Sequence, residues 1–387
     1  MKRPSSTPCR WLPLVFPGIT VCRDAPSAVA CTPYRSVIRT FCPGPLLGCT
    51  VAFKQNGDML NGGVIGFGNM GRQLTRYINE NRRLEARIVA ASNRSQPGLD
   101  IASSEFGLWV TRDVEDLLAR GLDFVVVAST SYAHPAQVVK AAEAGCHIFC
   151  EKPIALSLAE ADRMIEAAEK ADVVTVVNYI MRYNPGYLKI KELVELGELG
   201  ELLEVSHAKT RGYGLYAAGA RHRAVIEPEE SGGWTVHHAC HDVDFLYWLA
   251  GPIRSAYALF QSTAGRKDSE EIVLALVEFA SGAIGSVADS VCGIRNHYTR
   301  IIGSQASLVM TGENEQTVCR LQREGKAEPE LLAVRDQKRP GGGLDHFFDC
   351  IREGKKNPNS LASARHSLAA ALAMRESART RKPVPVA

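Results

Sequence analysis

The segment Gly66-Phe67-Gly68-Asn69-Met70-Gly71 constrains this chain more than any other feature of its sequence. It follows a short apolar run, Gly63-Val64-Ile65, and opens a pattern in which Met70, Leu74 and Ile78 share one helical face. Glycines at this spacing between a strand and a helix have separate tasks. Gly66 permits the tight turn, Gly68 lets the main chain approach a pyrophosphate, and Gly71 lets the helix pack on the strand. The free N–H groups and partial positive charge of the helix start then face the phosphates.

The surrounding text fits a doubly wound sheet. Short β-branched or aromatic runs at 87–92, 124–129, 147–150 and 173–177 suit strands buried on both faces. Between them, Val114, Leu117 and Leu118 form one helical stripe. Pro135 opens a second helix, closed by Gly145, and Leu158, Ala161, Ile165 and Ala168 form a third stripe. Strands alternating with helices mean βαβ units and a parallel sheet. After about residue 185 the rhythm changes. A helix over 187–196, a strand over 202–209 and a long helix over 237–249 precede strands at 256–261, 272–279, 283–291 and 299–302. Helices over 344–353 and 362–378 close the chain. The expected class is therefore α/β: an N-terminal Rossmann doubly wound parallel sheet at 59–180, then an α+β domain at 181–387 with a large open, mostly antiparallel sheet.

Residues 1–58 stand apart. They hold seven Lys/Arg against two Asp/Glu, eight of the 19 prolines and five of the 11 cysteines. They show no periodicity, and Met59 immediately precedes the first strand, so this stretch reads as a disordered or spurious extension. The rest of the chain is nearly balanced in charge, with no basic stripe interleaved with aromatics, which argues against nucleic acid as a partner. No run approaches ~20 apolar residues, which argues against a membrane span. The cysteines at 146, 150, 240, 292, 319 and 350 show no paired metal spacing and no redox CxxC, as expected of reduced thiols in a cytoplasmic protein.

Three groups of residues point to chemistry. At the tip of the second strand, where an NAD enzyme usually carries Asp or Glu, stand Asn93 and Arg94. An arginine can hold a 2′-phosphate with its planar fork, so NADP is expected over NAD, with NAD the lesser possibility. Glu151-Lys152-Pro153 ends the strand at 147–150, and carboxyl ends of such strands face the ligand crevice. Lys152 there can relay a proton to or from a hydroxyl undergoing hydride transfer. Ser129, Thr130 and His134 follow the neighbouring strand and should flank the path of a nicotinamide. The third group is Ser231-Gly-Gly-Trp-Thr-Val-His237-His238-Ala-Cys-His241-Asp242-Val-Asp244. His237 and His241 lie four apart and share a helical face, suited to acid–base work or substrate orientation. Zinc is the rival reading of that pair, but the HExxH glutamate is absent and no third ligand stands out, so no metal is expected.

Taken together, these motifs resemble the Gfo/Idh/MocA family of NAD(P)-dependent oxidoreductases. The resemblance runs from about Gly62 to the C-terminus. It is carried by Gly66–Gly71, Ala128-Ser-Thr-Ser-Tyr-Ala-His134, Ala141–Pro153, Arg182-Tyr-Asn-Pro185, Ser231-Gly-Gly233 with His241-Asp-Val-Asp244, and Asp345-His-Phe-Phe-Asp349. It implies substrates among sugars, cyclitols and related polyols. It also implies Lys152 and His241 as catalytic and substrate-orienting groups, and a homodimer or homotetramer built on the open sheet. Where the family often has aspartate, this chain has His237, which is expected to act with His241. Glu151 joins the cofactor contacts, and Arg182, Tyr183 and Asn184 are expected to line the substrate cleft, with specificity set by the loop at 212–230. Two other readings use the same residues. One is redox-assisted cleavage of a glycoside with the cofactor restored in each turnover. The other is a non-catalytic sensor of a sugar or dinucleotide.

Overall fold

The computed structural model describes residues 59–212, 228–261, 270–313, 316–334, 341–355 and 357–387. The extension at 1–58 and most of the loop at 212–230 lie outside the described residues.

Strands β1 (Leu60–Ile65), β2 (Ala86–Ser92), β3 (Trp109–Thr111), β4 (Phe124–Val127), β5 (His147–Cys150) and β6 (Thr175–Val177) form one sheet in the order β3-β2-β1-β4-β5-β6. Every pairing is parallel. All four residues of β4 are buried, as a central strand covered on both faces requires. The order reverses between β1 and β4, which opens a crevice at the carboxyl ends of these two strands. Helices α1 (Asn69–Glu80), α2 (Gln96–Ser104), α3 (Val114–Leu118), α4 (His134–Glu143) and α5 (Leu158–Lys170) make the connections. The Ser157 hydroxyl and the Glu160 carboxylate cap the start of α5 reciprocally.

After α6 (Pro185–Glu195) the chain builds a second sheet. It comprises β7 (Leu202–Thr210), β8 (Ile253–Gln261), β9 (Ile272–Phe279), β10 (Ile284–Ser290), β11 (Asn296–Gly303), β12 (Ala306–Glu313), β13 (Gln316–Arg323), β14 (Glu330–Leu332) and β15 (Val384–Pro385). The order is β14-β13-β12-β11-β7-β10-β9-β8-β15, antiparallel except where β7 runs beside β10. Alternation sends Val205, Val273, Ala275, Val287 and Ile301 into the core. The opposite face stays open, with Leu274, Leu276 and Ile284 each at least half exposed.

The last helices return to the first sheet. From α8 (Gly342–Glu353), Phe348 meets the Phe124 ring at 5.0 Å and Phe347 meets the Phe149 ring at 5.8 Å. From α9 (Leu361–Thr380), Leu361, Ala364, Leu368 and Ala371 join the core formed by Val127, Ile148 and Met164. No helix among the described residues is long and apolar enough to cross a membrane.

Some local expectations need correction. The helix expected over 237–249 is a π-turn, Thr235–Ala239, leading into α7 (Cys240–Ala250). Apolar spacing reports a helical face but not a change in hydrogen-bond register. Strands β3, β12, β13, β14 and β15 were not anticipated, and the closing helices extend beyond 344–353 and 362–378.

Candidate active site

The glycine loop leaves the space a dinucleotide needs. Gly66 has φ +95°, and a Cβ there would come within 2.5 Å of the Ser129 backbone. A Cβ on Gly71 would lie 2.2 Å from the Gly66 carbonyl oxygen, whereas one on Gly68 would meet nothing within 4 Å. The first and third glycines thus press the loop onto β4 and α1 onto the loop, and the second faces open space. No acidic residue occupies the first turn of α1 and no side chain caps it, so its N–H groups are open to an anion. Asn69 and Met70 are exposed, and Asn69 accepts a hydrogen bond from Arg72. The Phe67 ring is buried edge-on to Phe106, and its main-chain N–H donates to Asn93 Oδ1 at 3.0 Å. The other end of the Asn93 amide donates to Ser95. Asn93 therefore braces the glycine loop. Arg94 is exposed beyond it and donates to the Tyr132 hydroxyl at 2.7 Å, a link between the tip of β2 and the turn after β4.

That turn is held from below. His134 is 1% exposed, with Nδ1 2.9 Å from the Pro153 carbonyl oxygen and Nε2 3.2 Å from that of Ser129. Burial lowers its pKa, and a neutral ring donates to one oxygen and rests its other nitrogen against the second. Expected beside the nicotinamide path, His134 is instead a tie between the segments that carry Ser129 and Lys152. The Ser129 hydroxyl donates to Gln137, and Thr130 starts the turn.

Glu151 is also buried and accepts from the Asn178 amide at 2.6 Å; burial raises its pKa against the pull of Lys152. The Lys152 ammonium donates to the main-chain oxygen of His237 at 2.8 Å. The structure thus brings the end of β5 to the histidine segment, and the contact is with backbone. The His237 ring meets that of His238 edge-on at 4.9 Å, and His238 lies 4.2 Å from the Trp234 ring. His241 is buried with its ring edge-on to Tyr179. Burial first, then the positive charges of Lys152, Lys209 and Arg211, hold its pKa well below the usual imidazole range. A neutral His241 can accept a hydrogen bond from a hydroxyl.

Arg182, Tyr183 and Asn184 are placed differently from their expected role. Arg182 grips Asp244 with two bonds, at 2.8 and 2.6 Å, and donates to the Pro358 carbonyl; both partners are almost wholly buried. Tyr183 accepts from Asn359, and Asn184 caps α6. Arg182 and Tyr183 border a surface cavity of about 380 Å³ with Trp248, Asp345 and Asn359, which neither Lys152 nor His241 lines.

A buried polar chain that sequence reasoning missed lies behind the histidines. Thr299 and His207 Nδ1 are 2.8 Å apart, and His207 Nε2 is 3.2 Å from Asp242 Oδ1. Asp242 meets Asp289, which accepts from Arg211 at 3.0 Å. Burial first, and then the Asp242 carboxylate, push Asp289 up to about 7. His207 is neutral, pushed down to about 3 by burial and then by Lys209. The signal for Asp289 was a charge at an inward position of a strand whose other inward residues are Gly285 and Val287.

Residues 60–179 match an oxidoreductase family's NAD-binding Rossmann fold, and residues 191–386 match the same family's C-terminal alpha/beta domain. The chain is 28% identical over 319 residues to the 2,7-anhydro-N-acetylneuraminate hydratase of Escherichia coli K12, covering 79% of this chain and 83% of that one. It is 26% identical over 317 residues to the scyllo-inositol 2-dehydrogenase (NAD(+)) of Bacillus subtilis 168, covering 77% and 88%. Among solved structures, a levoglucosan dehydrogenase complexed with NADH superposes with a TM-score of 0.75 at 22% identity, covering 85% of this chain and 99% of that one.

Proposed function

The chain belongs to the Gfo/Idh/MocA family of NAD(P)-dependent oxidoreductases, and on that premise we propose that it interconverts a secondary alcohol and a ketone on a sugar, cyclitol or related polyol. The observation that carries this reading is the Lys152 ammonium, held at the crevice end of β5 against the histidine-bearing turn. When bound, the nicotinamide would take up or return the hydride. Lys152 moves the proton: the amine accepts it from the hydroxyl during oxidation, and the ammonium returns it to the oxygen during reduction. His241, neutral and aromatic-packed, accepts from a neighbouring substrate hydroxyl, and His237 orients another. Gly66–Gly71 and the first turn of α1 receive the pyrophosphate, with Ser129, Thr130 and Glu151 on the nicotinamide side. Similarity to a scyllo-inositol dehydrogenase supports a polyol substrate.

Arg94 favours NADP, because it offers a cation and no carboxylate where a 2′-phosphate would sit. The open face of the second sheet, with Leu274, Leu276 and Ile284 exposed, is the surface through which we place a homodimer or homotetramer. We divide the chain into a dinucleotide-binding domain at 59–180 and a substrate and oligomerisation domain at 181–387. None of the six described cysteines is in a disulfide, in keeping with the cytoplasm.

The test is a screen of sugars and cyclitols against NAD and NADP, following absorbance of the reduced nicotinamide. Turnover of none would overturn the reading. Similarity to a hydratase favours one alternative, in which oxidation is transient and the cofactor is restored within each turnover. Substrate loss dependent on the dinucleotide, with no net change in its absorbance, would select it.

A further inference from the structure

We propose that the substrate of this site is a sugar or cyclitol bearing a carboxylate, received by Arg211 and Lys209 at the end of β7; the proposal rests on the reading above and specifies its substrate class. Along β7 the inward positions are Val205, His207, Lys209 and, just past the strand, Arg211. Val205 and His207 are buried, and Lys209 and Arg211 are partly exposed. Arg211 is fixed on two sides. Its Nη2 donates to Asp289, and its guanidinium lies over the Trp234 ring, 5.4 Å from the centroid. Its Nε has no hydrogen-bond partner among the described residues. A planar cation with one donor committed to Asp289 suits a carboxylate better than a lone hydroxyl.

The charge around the reacting groups agrees. Lys152, Lys209, Arg211 and His237 all act on His241 to disfavour its protonation, so positive potential converges where the substrate would lie. The turn Thr235–Ala239 that meets Lys152 carries two imidazoles, and the carboxylate bound to its first N–H, Glu270, is itself paired with Arg375. Asp242 and Asp289 are fully buried, and Asp289 is held by Arg211. A neutral polyol, whose every hydroxyl both donates and accepts, calls for a balance of donors and acceptors; this wall is weighted to donors.

The experiment titrates the full chain, saturated with oxidised cofactor, with pairs that differ only in the carboxylate, glucuronate against glucose and galacturonate against galactose. Calorimetry reads binding, and absorbance reads cofactor reduction in the same samples. The acid of at least one pair should bind about 10- to 100-fold more tightly than its neutral partner, the scale of a hydrogen bond to a charged group. Arg211→Met should bring that ratio near unity, and Arg211→Lys should restore part of it. Lys209→Met should lower it independently, which serves if Arg211→Met does not fold. Equal or tighter binding of the neutral partners overturns the proposal, as does tighter binding of glucose 6-phosphate than of glucuronate. Acid-selective binding without cofactor reduction would instead strike the dehydrogenase reading and leave the anion site standing.

Discussion

Lys152 is anchored to a main-chain oxygen, so its position does not depend on which side chain stands at 237. Its own removal should therefore isolate proton relay. Lys152→Ala is expected to lower kcat by ~10²–10⁴-fold, the scale of a lost general acid or base, while the dinucleotide Kd stays within about three-fold. Near-normal turnover would dismiss the role. Arg94 makes a separate prediction. Arg94→Ser frees Tyr132 and removes the cation, so kcat/KM for NADP should fall by about ten-fold or more while that for NAD holds. A wild-type preference for NAD would refute the assignment. Both residues were legible because local motifs announce them: a glycine loop, a strand tip and an EKP at a strand end. Arg211 and Asp289 were not, nor was their meeting with Asp242, which stood out only as part of the histidine motif. They come from three elements far apart in the chain and meet only through the pairing of β7 with β10 and the seating of α7. His134 was legible as a site residue, but its tie to the Ser129 and Pro153 carbonyls was not, since nothing local says which way a ring turns at a helix start.

At the scale of elements, the contact between α7 and β10 makes stability depend on pH. Asp289 titrates near 7 in the folded chain and near 4 when unfolded. The folded state thus holds a proton that the unfolded state has released. The stabilisation is complete below pH 4 and is lost as pH rises through 7. Asp289→Asn removes this term, so the variant's Tm, compared with wild type, should improve between pH 5 and pH 8. A constant difference across that range would show that burial does not raise Asp289. The major elements were readable from periodicity, because each buries one face or both. The strands missed were those whose pattern is weak. β3 and β14 span three residues each, and β13 buries only Cys319 and Leu321, flanked by Arg320, Gln322 and Arg323. The π-turn was invisible because its residues look helical; only the lysine across the crevice marks where the register widens.

For the whole molecule, the open sheet face carries one prediction and the closing helices another consequence. Leu274 and Leu276 neighbour each other across the outer face, with Ile284 near the end of the next strand. The proposed oligomer should give way to a monomer in light scattering when Leu274→Asp and Leu276→Asp are combined, while the fold persists by circular dichroism. A monomeric wild type would remove the interface. The closing helices matter for how the chain is made. Phe347 and Phe348 seal one side of the dinucleotide sheet, and Leu361, Ala364, Leu368 and Ala371 seal the other. The half that leaves the ribosome first is therefore completed by the half that leaves last. A nascent Rossmann sheet waits with two greasy flanks uncovered through the synthesis of some two hundred further residues, which is the interval in which a chaperone would find it.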